Sequence, residues 1–173
     1  SKRMPSGQQC PRCAREPRSN RGTTSIPSSA VLTSRWLFAE ALGPINRATF
    51  DAWHADTVQA MIEREPRLTV GWATKIINVY LKTRVYIGAQ GRHHLEEMIH
   101  PPIDAGLWLG LSRRFPDRPD ILERTNCVSR IKDIVDYECY RRIIDGCRAA
   151  AKALDCELIE VEQLWAGTEF ASA

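Results

Sequence analysis

The segment from Arg92 to Asp104 concentrates side chains that can move protons. Three of the four histidines, His93, His94 and His100, lie within eight residues, and Asp104 follows the last of them by four positions. Imidazole changes charge near neutral pH, so these residues are candidates for general acid–base chemistry. The resulting hypothesis is a hydrolase for phosphodiesters or nucleotide-linked substrates, in which His100, or alternatively His93 or His94, transfers a proton. Asp104 would orient the imidazole and raise its basicity. The structural alternative makes Asp104 a helix cap and His100 the end of a preceding helix.

A stripe of polar residues interrupts the most apolar stretch of the chain, residues 70–88. Lys75, Asn78 and Lys82 are separated by three and four positions, so a helix would place them on one side. Together with Arg92 they form the predicted ligand-binding set, which favours a binding module for an anionic ligand or nucleic acid. In the hydrolase hypothesis the three basic residues stabilise developing negative charge instead. The alternative is a solvent-facing stripe whose lysines pair with Glu63, Asp104 or Asp136.

Cys10 and Cys13 form a close cysteine pair near the start of the sequence. The two residues between them let both sulfurs bind one metal ion, so zinc is the candidate cofactor. Structural zinc needs four ligands. The other two would have to come from the rest of the chain, with His93 and His94 as candidate donors. Cys139 is expected to be a buried core residue. The alternatives to a zinc site are a chance pair and an oxidisable dithiol.

The combination of Arg92 and His100 resembles the higher-eukaryote and prokaryote nucleotide-binding (HEPN) ribonucleases. These are small helical domains that use an arginine and a histidine on one helix, with four to six residues between them. Seven residues separate Arg92 from His100, and Pro101 is expected to end the helix. The resemblance implies a nuclease site in this segment, which is the hydrolase hypothesis again.

A longer resemblance covers roughly residues 68–165. The helix GWATKIINVYLK precedes HPPIDAGLW, and DYECYRRIIDG precedes IEVEQLW. This order is similar to a group of uncharacterised bacterial and mobile-element proteins. In that group a Gly-x-Ala-x-Lys-x-x-Asn-x-x-Leu-Lys helix precedes a His-x-Pro-Ile-Asp loop, and a Glu-x-x-Leu-Trp segment closes the chain. The resemblance implies no activity, but it groups Lys75, Asn78, Lys82, His100 and Asp104 into one constellation that we expect to converge.

The charge of the chain is unevenly distributed. Of its 173 residues, 43% are hydrophobic and 26% are charged, and the net charge is +3. The first 22 residues carry six bases and one acid, which leaves 18 bases and 20 acids in the remainder. A slightly acidic body argues against a protein that wraps nucleic acid over its whole surface. Residues 1–27, rich in serine and proline, are predicted to form an extended basic arm, and residues 28–173 a single helical domain.

The sequence also lacks the signals of export and membrane insertion. No apolar run approaches the ~18 residues of a membrane span, and the amino end has no apolar signal-peptide core. We therefore expect no membrane partner and a cytoplasmic location with reduced cysteines. The tryptophans are expected in the core, with Trp165 as a candidate for exposure, and a homodimer through Trp108 and Leu109 stays open.

Apolar residues recur at helical spacing along the body, so the predicted fold class is all-α, a compact bundle of six or seven helices. Two assignments have strand alternatives, TRVYI at 83–87 and IEVE at 159–162. The segment RRFPDRPD, residues 113–120, is predicted to be a surface link. The predicted helices cover approximately residues 28–42, 46–65, 70–88, 92–99, 103–114, 135–154 and 158–165.

Overall fold

The computed structural model describes residues 34–166 of the chain. This part contains five α-helices, one π-helical segment, four 3-10 helices and no strand, so the all-α fold class is confirmed. The predicted arm, including Cys10 and Cys13, lies outside the described residues. Among residues 34–166, no helix has both the length and the apolar character needed to cross a membrane. The α-helices are α1 Arg47–Arg64, α2 Val70–Leu81, α3 Ala105–Arg114, α4 Pro119–Thr125 and α5 Tyr137–Leu154.

Side-chain caps set the starts of four α-helices. At α1, the Asn46 side chain accepts a hydrogen bond from the backbone N–H of Thr49 at 2.9 Å. Thr69, Asp104 and Asp136 do the same for α2, α3 and α5. Each cap satisfies a backbone donor that has no partner within its own helix. The helices predicted at 46–65, 103–114 and 135–154 are therefore confirmed, and so is the capping role of Asp104.

The most apolar helix is longer than α2 alone. It continues without interruption into a π-helical segment, Lys82–Ile87. Gly88 caps this segment, and its backbone N–H donates to the carbonyl of Thr83 at 3.0 Å. The strand alternative for residues 83–87 is thereby excluded. The strand alternative for residues 159–162 is excluded as well, because they belong to the 3-10 helix Leu158–Leu164.

Three expectations about the remaining segments were wrong. Residues 92–99 form turns, because φ is +130° at Gly91 and +64° at His94, and such angles cannot continue an α-helix. The described part of 28–42 forms two short 3-10 helices, Ser34–Phe38 and Glu40–Leu42. The predicted surface link contains the start of α4, whose first residue is Pro119. Proline is tolerated there because an N–H at that position would have no helical partner.

The helices pack around one apolar core. α4 lies against α5 and α1 against α2, while the 3-10 helix Leu158–Leu164 closes over α3 and α5. Gly110 shows how tightly this closing segment fits, since a Cβ there would lie 1.7 Å from the carbonyl oxygen of Leu164. Large side chains that are fully buried include Leu37, Phe50, Leu81, Leu95, Leu107, Ile121, Ile134, Tyr140 and Ile143.

The tryptophans divide between core and surface. Trp53 and Trp108 are buried, and Trp36 packs against the core. Trp165 is exposed as anticipated, whereas the expectation for Trp72 was wrong, since 45% of its surface is accessible. The Trp108 indole donates to the carbonyl of Thr125 at 2.7 Å. Leu109 is only partly buried, and the homodimer through Trp108 and Leu109 stays a prediction.

Candidate functional site

A network of polar side chains lies in the interior of the bundle, where α1, α2 and α5 meet the loop before α3. Buried polar groups are expected to be hydrogen-bonded, and these bond mainly to one another. His54, Asn78 and His100 are at most 2% exposed. The network consists of Asp51 and His54 of α1, Asn78 of α2, His100 of the loop, and Tyr137, Tyr140 and Arg148 of α5.

The amide of Asn78 sets the direction of the hydrogen bonds. Its Nδ2 donates to the carbonyl of Pro101 at 3.1 Å and to the hydroxyl of Tyr140 at 2.9 Å. A carbonyl can only accept, so the Pro101 contact fixes which end of the amide is Nδ2. The Asn78 Oδ1 then accepts from His54 Nε2 at 2.9 Å. His54 therefore carries its proton on Nε2, and its Nδ1 accepts from the Tyr137 hydroxyl at 2.8 Å.

The hydrogen bonds continue from Asn78 to His100. The hydroxyl of Tyr140 accepts from Asn78 and donates its own hydrogen to His100 Nδ1 at 2.9 Å. The neutral His100 ring then holds its proton on Nε2, which lies 3.3 Å from Asp51 Oδ1. Arg148 donates to both oxygens of that carboxylate, at 3.2 and 3.1 Å. The donors thus point in one direction, from Asn78 through Tyr140 and His100 to Asp51.

Burial and the neighbouring side chains together determine the protonation states of the network. It lowers the pKa of His54 to about 3, and the nearby His100 adds to this effect. Burial also lowers the pKa of His100, although the hydrogen bond and charge of Asp51 oppose it. At Asp51 burial acts to raise the pKa, but the hydrogen bond with His100 and the positive charge of Arg148 outweigh it, so that the pKa is lowered. At neutral pH both rings are therefore neutral and Asp51 is ionised.

The network is closed to large molecules. The cavity beside His100 has a volume of about 20 Å³, enough for about one water molecule. The larger surface hollows, of about 300 to 510 Å³, are lined by other residues. In this conformation the network can hold three helices together. The cavity has no room for a phosphodiester.

Of the constellation grouped by the sequence resemblance, only Lys75 and Asp104 contact each other directly. Lys75 Nζ lies 3.2 Å from Asp104 Oδ2, and the indole of Trp165 donates to Asp104 Oδ1 at 3.0 Å. Lys82 Nζ lies 2.7 Å from Glu162 Oε2. The helix, the loop and the closing segment are therefore joined by direct contacts. Of the pairings considered for the polar stripe, the one between Lys75 and Asp104 is the one observed.

The proposed partnership of Asp104 with His100 was wrong. The carboxylate beside His100 belongs to Asp51, because Asp104 is held at the start of α3 by its capping bond and by Lys75. The cluster of three histidines is also divided, since His93 and His94 are exposed and His100 is buried.

Arg92 is engaged in bonds that tie the loop to the segment before α1. Its side chain donates to three backbone carbonyls at 2.7 to 3.0 Å and lies over the ring of Trp36, 5.3 Å from the centroid. These bonds use its guanidinium as a structural donor. The carbonyls belong to Leu42, Gly43 and Pro44.

Sequence reasoning missed most of the network. Asp51, His54, Tyr137, Tyr140 and Arg148 were not among the predicted site residues. A usable signal was present, because Asp51 and His54, like Tyr137 and Tyr140, are three positions apart and so share a helix face. Polar pairs at that spacing on the buried face of two helices predict a common buried network.

The outer side of α2 and the π-helical segment that follows it is an exposed apolar face. It comprises Trp72, Ile76, Val79, Tyr80, Tyr86 and Ile87, which are between 41% and 68% exposed. Within α2 the exposed members recur at intervals of three and four, so they occupy one side of the helix. The opposite side carries Asn78 and the core residues.

Two cysteines meet beside the start of α5. The Sγ atoms of Cys127 and Cys139 are 3.7 Å apart, and both residues are only partly buried. The expectation of a fully buried Cys139 was therefore wrong. Within residues 34–166, no cluster of three or more histidine, cysteine or carboxylate side chains suits a metal ion.

Comparison with known proteins leaves the site to be interpreted from its own geometry. No family model matches the chain, and neither the curated proteins nor the solved structures include a significant match.

Proposed function

We propose that this protein is an interaction module that pairs with a second copy of itself through the exposed apolar face of α2 and the π-helical segment. The observation that supports it is the concentration of large apolar side chains on that face. Six of the nine large hydrophobic residues that are exposed in the described part of the chain belong to it. Contiguous apolar patches of this kind are typical of interaction sites.

The size of the face suits a dimer. With a large side chain taken as roughly 200 Å², its exposed fractions amount to roughly 600 Å². A two-fold interface would bury this face on both copies, or roughly 1,200 Å² in total, which is at the lower end of specific interfaces. The face therefore supplies the area that self-association requires.

The flanks of the face do not oppose such pairing. Lys75 and Lys82 lie along one edge, and a second copy would bring two further lysines close to them. Each lysine is already matched by a carboxylate of its own chain, Asp104 or Glu162. Like-charge repulsion across the interface is thereby reduced.

The spacing along α2 is compatible with two-fold symmetry. In an antiparallel pair centred between Ile76 and Val79, each Ile76 faces Val79 of the second copy. Trp72 precedes Ile76 by four residues and Thr83 follows Val79 by four, so the indole faces a small side chain. Bulky and small residues then interdigitate, as helix packing favours.

The two functions predicted from the sequence have less support in this geometry. A module for an anionic ligand or nucleic acid would need free positive charge, whereas Lys75, Lys82 and Arg92 have partners within the chain. Asn78, the fourth member of that set, is buried. A hydrolase would need access to His100, which is 2% exposed.

Sedimentation velocity tests the proposal over a range from about 5 to 200 µM protein. We expect the unaltered protein to dimerise, and the variants Ile76→Glu and Val79→Glu to raise the dimer Kd by about thirtyfold or more, as for central interface residues. The matched control is Ala153→Glu, which adds the same charge at an exposed residue near the end of α5. An unaltered protein that stays monomeric throughout, or a control as disruptive as the two face variants, would overturn the proposal.

A further inference from the structure

The sulfur atoms of Cys127 and Cys139 are in contact but are not bonded. Their separation is 3.7 Å, and both residues are free cysteines. A disulfide bond has a length of about 2.0 Å, so the two sulfurs need to approach each other by only about 1.7 Å. The fold therefore brings two thiols, twelve positions apart in the sequence, close to the geometry of a covalent bond.

The backbone around the pair allows this small movement. Cys127 lies in the turn that follows α4, whose last residue is Thr125, so its backbone is outside the helix. Cys139 lies in the first turn of α5, and its backbone N–H donates to Asp136 Oδ1 at 2.7 Å. One cysteine is thus fixed by a helix cap, while the other lies in a turn that can adjust.

The two thiols differ in how readily they react. Both residues are only partly buried, so a small reagent can reach them. Burial and the hydrogen bond with Cys127 raise the pKa of Cys139 to about 12, so Cys139 is a neutral thiol at neutral pH. A peroxide is attacked by a thiolate and not by a thiol. Cys127 is therefore the residue that reacts first, and Cys139 the residue that completes the bond.

We propose that Cys127 and Cys139 form a reversible disulfide when the protein encounters a hydroperoxide. The Cys127 thiolate attacks one peroxide oxygen and the O–O bond breaks, which gives a sulfenic acid and an alkoxide or hydroxide that takes up the proton lost by Cys127. The Cys139 sulfur then attacks the Cys127 sulfur and the S–O bond breaks. The leaving hydroxide takes the Cys139 proton and becomes water. Two electrons pass from the sulfurs to the peroxide, and exchange with a small thiol returns them.

The bond closes a loop that supports the start of α2. The backbone N–H of Gly71 donates to the carbonyl of Ile134 at 3.1 Å. A Cβ at Gly71 would lie 1.9 Å from the carbonyl oxygen of Ile131, so the loop and the helix pack closely. Both carbonyls belong to the segment between the two cysteines, and oxidation restricts that segment. The modification does not depend on the function proposed for the exposed apolar face.

Peptide mapping tests the proposal on the full chain, which is first reduced and then treated with hydrogen peroxide. Trypsin separates the two cysteines, because it releases Cys127 in peptide 125–130 and Cys139 in peptide 133–141. We expect these peptides to be joined after oxidation and to separate again after dithiothreitol is added. Cys156→Ser, which alters a partly buried cysteine just beyond the other end of α5, is the matched control and should form the joined peptide to the same extent.

Sulfenic acid trapping tests the order of the two steps. In Cys139→Ser the sulfenic acid on Cys127 has no thiol to close on, so a dimedone reagent should label Cys127. In Cys127→Ser, dimedone should leave Cys139 unlabelled. Labelling of Cys139 in place of Cys127 would overturn the assigned order.

Thermal unfolding shows whether the bond forms without disturbing the fold. Closing a loop of about 13 residues should raise the midpoint by about 6–12 °C in the oxidised protein and in oxidised Cys156→Ser, but not in Cys127→Ser or Cys139→Ser. The proposal is overturned if the joined peptide does not form, or if the midpoint does not rise. It is equally overturned if Cys127 and Cys139 pair mainly with other cysteines, or if urea-unfolded protein gives the same pairing as folded protein.

Discussion

Lowering the pH from 7 to 5 should destabilise this protein, because two histidines are buried as neutral rings. In the folded chain His54 has a pKa of about 3. In an unfolded chain it has its ordinary pKa of 6.5, so it is protonated below that pH. Between these two pH values the unfolded state holds more protons than the folded state. The free energy of unfolding must therefore fall as the pH falls. His100 acts in the same direction, since its pKa is also lowered by burial.

The size of the effect follows from the same values. Each buried neutral histidine contributes a slope of up to about 1.4 kcal/mol per pH unit below pH 6.5. His54 alone then costs about 2 kcal/mol of stability at pH 5, and about 5 kcal/mol by pH 3. Domains are stable by roughly 5–15 kcal/mol, so this is a large share of the total. The loss should begin well above the pH at which carboxylates titrate.

Urea unfolding measured at several pH values between 4.5 and 8 would test this prediction. His54→Gln removes one titrating ring, so it should reduce the slope below pH 6.5 even if it also lowers stability at every pH. His93→Gln, which removes an exposed imidazole, is the matched control and should retain the slope of the unaltered protein. A flat profile between pH 6.5 and 5 in the unaltered protein would refute the burial of neutral rings, as would an unchanged slope in His54→Gln.

Two further substitutions test how the closing segment and the loop are held. Asp104→Ala removes the cap of α3 and the contacts with Lys75 and Trp165, so denaturant unfolding should show a loss of about 1–2 kcal/mol, whereas Asp104→Asn retains a cap and should lose less. An equal loss in both would contradict the capping role. Gly110→Ala places a Cβ 1.7 Å from the carbonyl oxygen of Leu164, so thermal unfolding should show a loss of about 1–3 kcal/mol or more, and an unchanged melting temperature would contradict the tight fit.

Local signals in the sequence were sufficient for the helices whose ends carry polar caps. Asn46, Asp104 and Asp136 each precede a periodic apolar segment, and each begins a helix in the structure. Residues 92–99 have similar local composition but form turns, because the fold uses left-handed backbone angles at Gly91 and His94. Tertiary contacts such as those of Arg92 with three carbonyls hold that loop, and spacing along one chain does not encode them.

The candidate site was only partly predictable for a related reason. The convergence of Lys75 with Asp104 followed from a pattern of adjacent segments, and the structure contains that contact. The partner of His100 did not follow, because Asp51 lies 49 positions away and its proximity depends on how α1 packs. Cys127 was overlooked because twelve positions separate it from Cys139, and no regular element relates the two.

The α2 helix explains why its polar stripe was difficult to interpret from sequence. A helix that is apolar on nearly all sides is expected to be buried on all sides. Here the inner side packs on the core and holds Asn78 in the polar network, while Trp72, Ile76 and Val79 remain exposed on the outer side. The two sides therefore serve different purposes, one fixing helix positions and the other offering apolar area. Substitutions on the outer side should alter association without changing the pH slope that His54 and its partners produce.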